Sequence, residues 1–271
     1  MSIAWIVQAN LTKPAIIKQI KDAVLNEGHA FHEINIVPFS KELPALDLGN
    51  TRKVIYGSTT FMVNSYQSPA YRDGVFFDPE QFNMAHYVKK WGEHVLNADG
   101  ALMTLGDLRS IEGDLDEVFF VRPNHDTKSF SGQTSTLGDL KVWSEKLCAL
   151  ELEDINERTE IWLASPKQIS KEWRAFVVDD KIISISKYLE NGELTESRAD
   201  IPNGLIDFLQ QTIGEYRIED IYVIDVALAE NTYKIIECNC FNGTGFYDHD
   251  ISSIVSAVNA FLLKESEKDM V

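Results

Sequence analysis

The chain has 271 residues, 44% of them hydrophobic and 25% charged, with 15 glycines and 8 prolines, a composition that excludes disordered, collagen-like and low-complexity proteins. Its 25 basic against 42 acidic residues give a formal net charge of −17, which repels polyanions, so neither duplex nucleic acid nor an anionic membrane is expected as a broad-surface partner. Three cysteines, Cys148, Cys238 and Cys240, suit a reducing compartment; no apolar run approaches the roughly 20 residues that cross a bilayer, and the sequence reads as cytoplasmic.

Residues 3–7 read as a buried opening strand. Ile16, Ile17, Ile20, Val24 and Leu25 then recur at helical spacing, which predicts a helix from Pro14 to Asn26, capped by Thr12 and ended by Gly28. Strands follow at 30–37 and 53–55, the latter entering a polar turn at 57–60. This is a small α/β unit, and no G-x-G-x-x-G follows its first strand. A second region carries a strand at 117–122 closing on Pro123, a polar loop at 124–133 and a strand at 159–163 stopped by Pro166. Strands at 172–178 and 181–187 form a hairpin across Asp179-Asp180. A third region has a helix near 204–214, strands at 220–228 and 233–238, and a last helix from about 252 to 263 capped by Asp250 or Asp248.

Chemistry concentrates where apolar strands carry acids. Asp225 interrupts one such strand and Glu237 the next, and Glu237 and Asn239 share a face because they are two apart. An unpaired buried carboxylate is costly, so these acids face solvent, pair with cations or bind a metal. A three-residue turn of Glu230-Asn231-Thr232 puts Asp225 opposite Glu237, whereas a four-residue turn puts them on opposite faces. The first register makes a hard-cation oxygen site suited to Mg²⁺, and the alternative is a hairpin of solvated acids. Arg122, at the end of an apolar strand, and Lys128, in the loop beyond it, are candidates for holding phosphate oxygens, although no P-loop is present. In Glu172-Trp173-Arg174-Ala175-Phe176, Arg174 shares a face with Glu172 and Phe176, which leaves an intrastrand ion pair with Glu172 as the plain reading. Cys238-Asn239-Cys240 lacks the second ligand pair that zinc requires, and Asp248-His249-Asp250 reads as a helix start.

In this order the three segments resemble the ATP-grasp superfamily, in particular a divergent clade recognised by one arginine and two lysines and, more distantly, the ribosomal-protein glutamate ligases. The resemblance implies an α/β plus α+β architecture: an N-terminal α/β (pre-ATP-grasp) domain at 1–105 and two α+β subdomains, at 106–190 and 191–271, clasping a nucleotide. It further implies ATP and Mg²⁺ (or Mn²⁺) as cofactors, with Asp225, Glu237 and Asn239 as metal ligands and Arg174 on the transferring phosphoryl group. By the same resemblance Arg122, Lys128 and Lys187 lie near the phosphates, Ala164 and Ser165 at the adenine hinge, and Arg198 and Asn242 on the substrate side. The implied activity is a carboxylate–amine ligase acting on an amino acid or peptide through an acyl-phosphate. The alternatives are a kinase of the same fold and a non-catalytic ATP-binding module. Relatives are often dimers or tetramers, so the resemblance is compatible with a homo-oligomer.

Overall fold

In a computed structural model, residues 2–37, 40–49, 51–126, 129–152, 155–199 and 201–268 are described. The chain opens with β1 (Ile3–Gln8), α1 (Pro14–Asn26), β2 (Ala30–Ile34), β3 (Arg52–Tyr56) and α2 (Thr59–Gln67), a parallel sheet of order β2-β1-β3. Helix α1 buries Ile17, Ile20, Ala23 and Val24, while Leu25, which the spacing also puts on this face, is 50% exposed, and the helix stops where Gly28 takes φ 77°. Thr12 does not cap it: the cap position is Lys13, and Pro14 at N1 supplies the start. Strand β2 ends three residues earlier than its apolar run, because the Asn10 carboxamide bonds both the carbonyl and the N–H of Ile36.

After α3 (Met84–Trp91), β4 (Ala101–Thr104), α4 (Leu105–Ser110), β5 (Val118–Pro123), β6 (Gln133–Thr136), α5 (Leu137–Ala149) and β7 (Glu160–Ala164) build an antiparallel sheet of order β4-β7-β5-β6. The third sheet, order β10-β9-β8-β11-β12, contains β8 (Ile169–Val178), β9 (Lys181–Glu190), β10 (Glu193–Ser197), β11 (Ile221–Ala229) and β12 (Thr232–Cys240). Helix α6 (Asn203–Glu215) connects β10 to β11, and α7 (Ile251–Lys268) follows β12. Because β8 pairs with both β9 and β11, residues 169–190 belong to the same sheet as β11 and β12, and the link at 165–168 joins that sheet to the second one.

Both faces of the third sheet are covered. Phe176, Val178, Ile221, Val223 and Phe241 join Trp5 and Val7 of β1 in one core, which α1 and α7 complete. The Trp5 indole N–H bonds Asn259 Oδ1 of α7 at 2.8 Å, tying the first strand to the last helix. On the other face Trp173, Ala175, Val177, Tyr222 and Ile224 pack with residues of α3 and α6. Cys238 and Cys240 lie buried in this second core, and Cys148, Cys238 and Cys240 are free thiols. Among the described residues no helix is long and apolar enough to cross a membrane.

Candidate active site

Strand pairing places three charged residues in one row. Arg174 on β8 faces Asp225 on β11, and Asp225 faces Glu237 on β12. The β11–β12 connection is neither of the turns considered from sequence. Ala229 pairs with Thr232, and Glu230 and Asn231 take φ 49° and 63°, the left-handed pair of a two-residue hairpin turn. That turn alone would set Ile236 opposite Asp225. The register instead slips by one between Asp225 and Val226, so that Val226 faces Ile235 and Asp225 faces Glu237, with Ile236 as the extra residue. The bulge, not the turn length, brings the two carboxylates to one face.

Asp225 is 1% exposed and Arg174 7% exposed, so neither charge could be held there alone. Arg174 Nε and Nη2 donate to Asp225 Oδ1 and Oδ2 at 2.8 and 2.7 Å, a bidentate fork, and Nη1 donates to the Gly245 carbonyl at 3.1 Å. Burial works against the guanidinium charge, and the carboxylate of Asp225 outweighs it, holding the Arg174 pKa above its ordinary value. The intrastrand pair with Glu172 does not form; Glu172 accepts the Tyr188 hydroxyl, and burial raises its pKa. Asn239 Nδ2 donates to Asp225 Oδ2 at 3.2 Å and to Glu237 Oε1 at 3.1 Å. Its Oδ1 is buried without a hydrogen-bond partner.

From β5 of the second sheet, Arg122 donates to Glu237 and, at 3.1 Å, to the Ile236 carbonyl, while its Nε is buried without a partner. Asp126 fastens the start of the following loop to β12 by accepting the Cys240 N–H at 2.8 Å. The row therefore ends with one open acceptor, Asn239 Oδ1, and one open donor, Arg122 Nε, both withdrawn from solvent. Such groups are uncommon in folded proteins and point to something that completes the site. Among the described residues no three of His, Cys, Asp or Glu gather as a metal cluster; the donor set is two carboxylates and an amide, which is hard-cation chemistry.

Beyond Asp225, Ala227 and Ala229 continue the same face of β11 and join Leu96, Ile169 and Ile236 in a small apolar patch. Ala164 ends β7, paired with Phe120 and buried in the core that holds Trp162 and Trp173, and Ser165 is exposed at the start of the strand-to-strand link. A cavity of about 280 Å³ opens there, lined among others by Leu96, Lys167, Gln168, Ala229 and Thr232.

Three expected residues stand apart from this group, and a fourth, Lys128, lies outside the described residues. Lys187 pairs in register with Trp173, not with Arg174, because the β8–β9 ladder slips between Glu172 and Trp173. Its ammonium is held by Glu190. Arg198 is largely exposed and sits 3.8 Å from Asp248. Asn242 is fully buried, and its carboxamide is spent on the protein: Nδ2 donates to the Ile55 and Gly74 carbonyls at 2.6 and 2.9 Å, and Oδ1 accepts the Phe76 N–H at 2.7 Å. It stitches the N-terminal unit to the end of β12.

Sequence reasoning missed two tyrosines. Tyr188 and Tyr247 stack with ring centroids 4.7 Å apart and planes 12° from parallel, and the Arg174 guanidinium lies 4.9 Å from the Tyr247 ring and 5.7 Å from that of Tyr188. No local motif marks such a pair, since the residues meet only when the loop after β12 folds back over β9. His249 was read as part of a helix start. Asp250 alone caps α7, bonding the Ser253 N–H at 3.1 Å, and His249 is a buried imidazole whose Nδ1 lies 2.8 Å from Ser184 Oγ. Burial first, then the Arg174 charge, lowers its pKa to about 3.

No curated protein sequence matches this chain. Solved structures do resemble it throughout. D-alanine–D-alanine ligase from Bacillus anthracis matches with a TM-score of 0.62 at 10% identity, covering 99% of each chain. D-cycloserine synthetase DcsG gives 0.65 at 11% identity, and an ATP-grasp RimK domain protein from Sphaerobacter thermophilus gives 0.61 at 11%, each over 96% of this chain and 99% of the other. At these identities the likeness is one of fold. The model of an ATP-grasp domain family, the second family of the clade named for one arginine and two lysines, matches residues 100–257, more than half of the chain, and the protein belongs to that family.

Proposed function

We propose that this ATP-grasp chain is an ATP-dependent carboxylate–amine ligase that activates its carboxylate substrate as an acyl-phosphate and releases an amide, ADP and phosphate. The observation that carries the reading is the row Arg174–Asp225–Glu237, with Arg122 and Asn239 upon it, in which Asn239 Oδ1 and Arg122 Nε are buried without partners. A metal-bound polyphosphate needs both. Asn239 Oδ1, with Asp225 and Glu237, fits the oxygen set of Mg²⁺, and Arg122 Nε fits a phosphate oxygen. The link at 165–168 and the apolar patch of Ala227, Ala229 and Leu96 suit the flat base.

Mg²⁺ held by Asp225, Glu237 and Asn239 would neutralise phosphate charge and polarise the transferred group. The remaining work belongs to the chain. Arg174 uses three of its five N–H groups on Asp225 and Gly245 and presents the others as a cationic edge for the transferring phosphoryl oxygens. Arg122 leaves Glu237 for the phosphates. With nucleotide and carboxylate fixed in line, attack of the carboxylate needs no protein nucleophile, and positioning with charge neutralisation supplies the rate. The solved structures of this fold include a D-alanine–D-alanine ligase and PsnB, an ATP-grasp ligase, complexed with a precursor peptide, which supports an amino acid or peptide as the substrate class proposed here.

The test is product analysis with ATP, Mg²⁺ and a panel of amino acids and peptides. Amide formation with equimolar free phosphate supports the ligase. A stable phosphorylated acceptor would identify a kinase, and nucleotide binding without turnover across the panel would leave a binding module.

A further inference from the structure

The Arg174 guanidinium is held from three directions. Asp225 takes Nε and Nη2, the Gly245 carbonyl takes Nη1, and the Tyr247 ring covers its face at 4.9 Å. Tyr188 stacks on Tyr247 and lies 5.7 Å from the same guanidinium, so the two rings flank it together, and the Tyr188 hydroxyl donates to Glu172. These holds are not equivalent once the site fills. The oxygens of Asp225 that chelate Arg174 are those the ligase reading offers to a metal ion, so the strongest of the three contacts is the one a bound Mg²⁺ would weaken. An arginine side chain released by its carboxylate regains most of its rotamer freedom, and the gain in aiming charge at the phosphoryl group is lost.

We infer that Tyr247 is the positioning residue that would keep Arg174 aimed at the terminal phosphate of the nucleotide when Asp225 is shared with a metal ion, with Tyr188 flanking the same guanidinium. The proposal rests on the ligase reading of the site and adds to it a residue that touches neither metal nor substrate. The contact is between a cation and a ring face, so the ring is required and the hydroxyl of Tyr247 is not. Gly245, whose carbonyl takes Nη1, stands two residues before Tyr247, so one short loop supplies two of the remaining contacts.

The experiment measures dissociation constants of Mg·ADP and of the Mg complex of the β,γ-imido analogue of ATP by titration calorimetry, for wild type, Tyr247→Leu and Tyr247→Phe. Tyr247→Leu is expected to weaken the imido analogue by about two- to tenfold while Mg·ADP changes by less than about twofold, because only the former carries the phosphate that Arg174 meets. Tyr247→Phe keeps the wild-type ratio. An unchanged ratio in Tyr247→Leu overturns the proposal, as does an equal loss for both nucleotides, which would mark a merely structural ring. A Phe variant as weak as the Leu variant would assign the effect to the hydroxyl and overturn it too. Wild-type protein that binds neither nucleotide refutes the ligase reading itself, and the proposal falls with it.

Discussion

Replacing Asn242 with alanine separates a scaffold role from a substrate role. Its carboxamide joins three backbone groups from two different segments, the Ile55 and Gly74 carbonyls and the Phe76 N–H, and it is fully buried. Alanine removes donor and acceptor together and leaves those three groups in a space closed to solvent. Each orphaned buried group costs roughly 1–3 kcal/mol, and partial relaxation or an entering water trims the sum to about 3–5 kcal/mol. Against a total stability of about 5–15 kcal/mol, that brings the protein to the edge of folding. Asn242→Asp should be no better, since a carboxylate cannot donate to two carbonyls and would add a buried charge. The assay is urea unfolding followed by tryptophan fluorescence, with the midpoint shift read at constant slope. A loss below about 1 kcal/mol in Asn242→Ala would refute the reasoning and return the residue to the substrate side.

Two further outcomes follow from the charge pairing. In Arg122→Gln, Glu237 loses its guanidinium, so Mn²⁺ alone should bind more tightly than it does to wild type, where arginines occupy both carboxylates; electron paramagnetic resonance of free Mn²⁺ reads this, and equal binding by the two proteins would contradict it. For His249 the folded pKa of about 3 lies below the ordinary 6.5, so the unfolded chain binds the extra proton between those values. Stability from this group is thus complete above pH 6.5 and lost as pH falls toward 3, by up to about 1.4 kcal/mol per pH unit. Urea midpoints at about pH 7, 5 and 4 should fall less steeply in His249→Leu; parallel lines for variant and wild type would refute the assignment.

The fold and the acidic row were legible because they rest on local pattern. A buried strand that carries one carboxylate, followed by Glu-x-Asn on the next, declares a polar band on an apolar sheet whatever the loops do. Register was not legible, because it depends on single-residue slips that no composition signals. Asp225 and Glu237 meet through a bulge at Ile236, where turn length alone gave two competing answers. A second slip, beside Tyr188, removes Lys187 from the Arg174 row. The carboxamide bonds of Asn242 were illegible for a different reason: an asparagine just past a metal-type strand has the same chemistry whether it faces a substrate or mends the edge of β3. The tyrosine bracket and the Arg122–Glu237 pair unite residues far apart in the chain, and such contacts belong to the tertiary fold.

The central claim is that Asp225, Glu237 and Asn239 hold a metal ion that the nucleotide requires. It is tested most directly by a thermal-shift titration of wild type and Glu237→Ala with Mg²⁺ and the imido analogue of ATP, separately and together. A ligand at about 100 times its dissociation constant adds about 2.7 kcal/mol to stability, a clear shift in midpoint. Wild type should shift only with both present, Glu237→Ala should not shift while remaining folded, and Asp225→Asn should show a reduced shift. A Glu237→Ala protein that shifts as wild type does would contradict the metal assignment, and a wild type that shifts with neither would contradict the nucleotide site.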